Sequence, residues 1–317
     1  MPQLRTHSAQ WQAWGPAVVD LSGDWRSRLA ARFPHHYARI AEAVEPAEGI
    51  NLTFAASISG AKGRAMATTR WLLTMEQTTK RRLLWLLADV CKRSASQVGA
   101  ARAHFLDIGS NIGFYGMTAA SLGCNVDFFD MQCACATAVA DSLLANSLQH
   151  RALIHPVGVS DERREFPSDA GDCSGRYPQV AMERKSRDPR IDSGSARLSG
   201  VGRTMPLVQL LPVERLSRGA QIIAKVDVEG NEIHVLRGLL PFLKRRLISH
   251  LFVEVTTGFG FYARLGVSRL EMGEMFVQIM GFGYTLTDIP TNTTHSSMSI
   301  RHFFKVSETQ VDLLLQA

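Results

Sequence analysis

The chain reads as an α/β protein built on a doubly wound, Rossmann-like sheet, and three stretches predict this. The first, His104-Phe-Leu-Asp-Ile-Gly-Ser-Asn-Ile-Gly-Phe-Tyr-Gly-Met117, runs from apolar residues through small and polar ones into a helical pattern over 112–122. Glycine stands there where a turn needs positive φ or an unobstructed backbone. The second, residues 126–129, is an apolar run closed by Asp130, 23 positions after Asp107. The third, residues 221–238, repeats strand, turn and helix, with Lys225, Asp227 and Glu229 at the turn. Strands and helices alternating in this way build mainly parallel sheets with helices on both faces.

Residues 1–50 carry Trp11, Trp14 and Trp25 among polar residues and read as an extension with one or two short helices. The expected division is an N-terminal extension over 1–73 and a main domain over 74–317. Residues 74–92 place Leu83, Leu84, Leu86, Leu87 and Val90 at helical spacing, enough to cover one sheet face. Gly123 is expected to cap the helix after the first turn. Residues 125–130 read as the second strand, 134–148 as a helix and 151–159 as the third strand, ending in Ser160-Asp161.

The stretch 166–205 is rich in Ser, Gly, Arg, Asp and Pro, the composition of a flexible insertion. Residues 207–213 read as strand-like. Beyond the third motif, 251–255 is a buried strand containing Glu254. Gly258-Phe-Gly-Phe-Tyr262 is a glycine-hinged aromatic loop suited to act as a lid. Residues 270–280 form an amphipathic helix ended by Gly281. Residues 284–289 and 299–306 read as two final strands in an antiparallel hairpin.

The composition fits a folded globular chain: 45% hydrophobic and 20% charged over 317 residues. Net charge is +6, from short clusters such as Lys80-Arg81-Arg82 and Lys244-Arg245-Arg246. These read as solvated surface, because no aromatic residues interleave with them, and a nucleic-acid partner is not expected. The five cysteines lack metal or redox spacing and read as buried thiols of a reducing, cytoplasmic setting. No apolar run is long enough to span a membrane. The first nineteen residues lack acids, as transit peptides do, but two tryptophans and few serines argue against one. Asn51 and Asn292 begin sequons that carry no weight without a secretory signal.

The first motif points to a cofactor. Amides at the start of such a helix face the turn and favour a polar or anionic group. A second-strand acid about 20 residues on holds the ribose of an adenosine cofactor. The pattern Gly109-x-Asn111-x-Gly113 is not the dinucleotide fingerprint, whose second glycine brings backbone against a pyrophosphate. A ligand with adenosine and an amino-acid tail fits better, and S-adenosylmethionine is such a ligand. Asp107, Gly109, Ser110, Asn111 and Gly113 are assigned to its methionine part and Asp130 to its ribose, with Met131 and Ser160 as further contacts.

The second motif points to an acceptor. Strand alternation puts Lys225, Asp227 and Glu229 on one side of the sheet's carboxyl edge. Charges stacked there are costly unless they pair or line a cleft, and open α/β sheets bind ligands at that edge.

With these motifs placed, the chain resembles the FkbM-type methyltransferase family. The resemblance rests on Leu106-Asp-Ile-Gly-Ser-Asn-Ile-Gly113, Val157-Gly-Val-Ser-Asp161, Lys225-Val-Asp-Val-Glu-Gly-Asn-Glu232, Val235-Leu-Arg-Gly238, Phe252-Val-Glu254 and Gly283-Tyr284, within 74–306. It implies a seven-stranded mixed sheet of the class I methyltransferase type and methylation of a hydroxyl on a small molecule or glycan. Phe129-Asp130-Met131-Gln132 departs from the family in lacking a proline after the second-strand acid. A hydroxyl acceptor needs a base within hydrogen-bond reach. Asp227, Glu229 and Glu254 are the candidates, with Lys225 holding a carboxylate ionised or orienting the acceptor. No spacing demands a metal, and His155 and His234 read as structural. The rival readings are a nicotinamide oxidoreductase, a non-catalytic adaptor and an RNA methyltransferase.

Overall fold

The computed structural model describes residues 42–44, 52–54, 77–97, 101–168, 173, 200–211, 216, 220–256, 267–307 and 310–317. Most of the N-terminal extension, most of the insertion and the aromatic loop at 258–262 lie outside the described residues.

The main sheet takes its centre from the two motifs. β3 (His104–Ile108) and β9 (Ile222–Val226) pair in parallel, so strands 118 positions apart at Leu106 and Ala224 are neighbours. On one side follow β4 (Asn125–Phe129) and β5 (Ala152–His155), both parallel. On the other side lies β10 (Ile248–Val255), parallel to β9. β13 (Val311–Gln316) is the reversed strand, antiparallel both to β10 and to β11 (Thr285–Asp288). β12 (Thr293–His295) adds an antiparallel edge beyond β11.

Period-two alternation sends each strand's apolar side chains into two cores. Leu106, Ile108, Val226, Val253 and Leu313 pack with α5 (Glu232–Lys244), α6 (Arg269–Gly281) and α7 (Ser297–Val306). Phe105, Phe128, Ile223, Phe252 and Leu314 pack on the opposite face with α1 (Gln77–Ser96), α2 (Phe114–Ser121) and α3 (Cys133–Ala145). Helices on both faces make the sheet doubly wound. Two smaller ladders accompany it. β1 (Glu42–Val44) pairs β2 (Leu52–Phe54), whose Leu52 is buried in the second core. β6 (Gly158–Val159), β7 (Arg164–Ser168) and β8 (Gly200–Met205) form a three-stranded sheet at the ends of the insertion.

Four expectations are corrected. The sheet has eight strands rather than seven, because the hairpin after β11 adds β12. Residues 299–306 are helix, not strand: Ser296 and Ser299 form a reciprocal capping box that starts α7. Ile300 and Phe304 satisfy both alternation and four-residue spacing, and packing on Phe276 of α6 decides for the helix. Residues 207–210, expected as strand-like, form the short helix α4 (Leu207–Leu210) after Pro206, with Leu207 and Leu210 inward. The cysteines are not all free thiols, since Cys91 pairs with Cys124 and Cys135 with Cys173. Contacts across 33 and 38 positions are invisible to local spacing, and their content no longer argues for a reducing compartment. Among the described residues no helix is long and apolar enough to cross a membrane.

Candidate active site

The carboxyl ends of β3 and β9 meet in two interlocked turns. Gly109 (φ 80°) and Ser110 both donate their amides to the Phe129 carbonyl, at 2.9 and 3.1 Å. Asp227 donates its amide to the Ile108 carbonyl at 3.0 Å. A Cβ on Gly109 would lie 1.8 Å from the Asp227 carbonyl oxygen, so only glycine admits the second turn so close. Asn111 (φ 50°) and Gly113 (φ 81°) continue the left-handed path into α2, which has no side-chain cap.

Two buried acids flank this turn. Asp107 Oδ2 accepts the Gly116 amide at 2.8 Å; burial pushes its carboxyl up to about 7, against the pull of Lys225. Asp130 accepts the amides of Asn111 (2.9 Å) and Gln132 (2.8 Å), and burial pushes it up to about 6. Asp227 adds to both shifts, and Asp130 adds to that of Asp107. The three acids therefore act on one another around the interlocked turns.

Beside it, the second turn carries a charged ledge. Lys225 Nζ donates to Asp227 Oδ2 at 2.6 Å and lies 4.8 Å from the Tyr115 ring centre. Burial alone would lower the Lys225 ammonium, but Asp227 and Glu254 outweigh it and hold it well above its ordinary range. Glu254 accepts from Gln310 at 2.5 Å. Asp312 stands directly opposite Glu254 across the β10–β13 ladder, and its Oδ2 accepts the Thr79 hydroxyl of α1 at 2.5 Å. Burial raises Asp312 as well, with Thr79 and Lys225 opposing. Two acids face to face in a sheet repel unless a proton or cation sits among them, and Lys225 supplies that cation.

Glu229 departs from the expected alternation. β9 ends at Val226, and Glu229 (φ 53°) and Gly230 (φ 100°) lie in the turn, so Glu229 does not continue the strand's face. Its charge acts instead on Glu232, whose carboxyl is fully buried, accepts the Gly230 amide at 2.6 Å and is pushed up to about 8, chiefly by burial. Met131 is half-buried just past Asp130. Ser160, just past β6, donates its hydroxyl to Asp161 at 3.1 Å, and its carbonyl abuts Gly238 of α5. Asp161 in turn holds His234 at 3.2 Å, so His234 fastens this helix. His155 Nε2 donates to Asp127 Oδ1 at 2.5 Å, and His104 holds that carboxylate's other oxygen.

Thr79, Gly116, Glu232 and Asp312 are the site residues that sequence reasoning missed. The Gly113-x-x-Gly116 spacing was a usable signal for Gly116, where a Cβ would lie 2.2 Å from the Phe128 ring. Asp312 and Thr79 had none, because only the fold brings them to the ledge.

Comparison with known proteins finds no matching family model and no matching curated protein. The chain is similar to FkbM-type and other methyltransferases of known structure. The methyltransferase FkbM from Methylobacillus flagellatus KT is 10% identical, with a TM-score of 0.40 over 78% of this chain and 57% of that one. The bifunctional kinase-methyltransferase WbdD is 12% identical, with a TM-score of 0.42 over 78% of this chain and 41% of that one. The chain spans between two fifths and three fifths of the length of these two. A human methyltransferase 10 domain containing protein is 12% identical, with a TM-score of 0.33 over 76% and 81% of the two chains. At such identity and overlap, the reading of function rests on the side chains themselves.

Proposed function

We propose that this chain is an S-adenosylmethionine-dependent methyltransferase acting on a hydroxyl group of a small molecule or glycan. One observation carries the reading. Around the first turn Asp107, Asp130 and Asp227 act on one another, and Lys225, the cation that acts on Asp107, is already held by Asp227 and Glu254. Acids grouped in this way disfavour a pyrophosphate and attract positive charge. That disfavours a nicotinamide dinucleotide and favours a ligand with a sulfonium and an ammonium.

When bound, the cofactor supplies an electrophilic methyl group on a positively charged sulfur. The chain's own residues would do the rest. Asp107, Gly109, Ser110, Asn111 and Gly113 would hold the amino-acid end beside the start of α2, whose dipole favours a carboxylate. Asp130 and Met131 would hold the ribose side. Ser160 drops out of the set because its hydroxyl is spent on Asp161. On the ledge, a carboxylate takes the acceptor proton as the new bond forms. Asp227 and Glu254 are the candidates, both drawn to the buried ammonium of Lys225; Glu229, in the turn, is the weaker one.

The compartment expected is the cytoplasm. All four paired cysteines are buried, which limits the access of reductants. Their redox state in protein from the native host tests that expectation.

The decisive test is isothermal titration of the purified protein with S-adenosylmethionine and, separately, with NAD⁺. The expected result is saturable S-adenosylmethionine binding that Asp130→Ala weakens, with no binding of NAD⁺. Undetectable binding at millimolar S-adenosylmethionine overturns the proposal.

A further inference from the structure

A hollow of about 540 Å³ opens on the sheet face that α1 covers. Its floor is Phe252 and Leu314, both buried. Trp85 forms its wall, and Arg81, Arg82 and Gln316 stand at its rim. Arg81, Arg82 and Trp85 fall within one helical turn, so they share an edge of α1. The Thr79–Asp312 hydrogen bond ties α1 to the sheet between this hollow and the ledge, so the two are separate.

The chemistry changes sign along the strands. Phe252 precedes Glu254 by two residues and Leu314 follows Asp312 by two, a step of about 7 Å. On the ledge side carboxylates surround one ammonium; among the described residues no acid lines the hollow. Trp85 is 66% exposed, a large aromatic face left in solvent beside two guanidinium groups. Arg82 is braced by the Asn292 side chain, which accepts from its Nη1 at 3.1 Å, so one guanidinium is held in place at the rim.

We propose that this hollow binds a small anionic ligand with a planar ring, an aryl or nucleoside phosphate. The ring stacks on Trp85 over the apolar floor, and the phosphate takes the hydrogen bonds of Arg81 and Arg82. Guanidinium groups recognise phosphate through paired N–H donors, and aromatic rings offset-stack on tryptophan. The volume lies in the range of small-molecule sites, roughly 300–1,000 Å³. The site is independent of the methyltransferase reading and stands if that reading fails.

The test is titration of the full chain with adenosine monophosphate, phenyl phosphate, adenosine and inorganic phosphate, followed by tryptophan fluorescence and calorimetry. Saturable quenching by the two phosphorylated rings below about 1 mM is expected, with adenosine and inorganic phosphate at least tenfold weaker. Preference for adenosine monophosphate over phenyl phosphate identifies a nucleotide site; equal affinity identifies a site for aryl phosphates in general. Trp85→Phe should abolish the quench yet leave binding heat. Arg81→Ala combined with Arg82→Ala should remove both, while leaving the melting profile and any S-adenosylmethionine binding unchanged. The proposal is overturned if none of the four probes saturates, or if binding survives the double arginine variant.

Discussion

The two turns at the sheet's centre are built alike and charged differently. Each follows a parallel strand and uses left-handed residues, Gly109, Asn111 and Gly113 in one and Glu229 and Gly230 in the other. They interlock at Gly109 and Asp227. Yet Asp107 and Asp130, beside the first, are buried with only amides as direct partners and keep their protons toward neutral pH. Asp227, in the second, is clamped to an ammonium. The difference teaches how one backbone device can serve two ligands. Acids bonded directly only to amides suit a cationic ligand, and an acid already clamped to an ammonium suits a neutral hydroxyl.

The comparison can be broken hardest at the contact between the turns. Gly109→Ala puts a methyl group 1.8 Å from the Asp227 carbonyl oxygen at a φ of 80°. A loss of about 4 kcal/mol or more is expected, together with all cofactor binding, by denaturant titration and calorimetry. A stable, binding-competent variant would show that the turns do not interlock.

The next largest effect belongs to the ledge. Lys225→Met leaves the Asp227 and Glu254 carboxylates without their cation and should cost about 3 kcal/mol. Adding Glu254→Gln should recover part of it. Equal instability of the single and double variants would mean that packing, not charge, holds this region.

The disulfides sharpen the contrast. Cys135–Cys173 lies against the first turn, with Cys173 Sγ 3.1 Å from Asn111 Oδ1 and Ile112 in the same apolar cluster. Cys91–Cys124 lies in the second core, away from both turns. Cys91→Ser and Cys135→Ser should each lower stability by about 3 kcal/mol. Only Cys135→Ser should also weaken S-adenosylmethionine binding severalfold; equal effects on binding would separate the bridge from the site.

The smallest effect concerns protons. Asp107, Asp130 and Glu232 have folded values above their ordinary ones, at about 7, 6 and 8. Their contribution to stability is therefore complete below about pH 4 and is lost as pH rises through 6 to 8. A cationic ligand beside Asp107 and Asp130 releases their protons, so the melting-temperature rise caused by S-adenosylmethionine should grow between pH 6 and 8. Asp107→Asn keeps the shape and the Gly116 hydrogen bond, flattens that growth and weakens binding about tenfold. A rise independent of pH in both proteins would remove charge from the account.

The centre of the fold was legible because glycine, aspartate and strand periodicity lie within a few residues of one another. β3, β4 and β9 sit where their apolar runs put them, and Asp107, Asp130, Lys225 and Asp227 reach one region as expected. The C-terminal part was not. Val311 to Gln316 has almost no alternation, since Leu313, Leu314 and Leu315 are buried on both faces, and Ile300 with Phe304 fits two periods at once. Glu229 was misplaced because the alternation was carried past Val226, where the backbone leaves the strand. Pairing of distant cysteines and the Thr79–Asp312 bond depend on tertiary contact, which no local pattern encodes.

The reversed strand β13 has a consequence for how the molecule is made. It inserts between β10 and β11 and carries Asp312, so the ledge is incomplete until this distant strand has docked. Before that moment β10 is an open edge with a row of unpaired amides and an apolar face, the kind of surface on which chains stick together. Because the pairing is non-local, its closure is slow compared with helix formation. Completion of the ledge and escape from self-association are thus the same kinetic event.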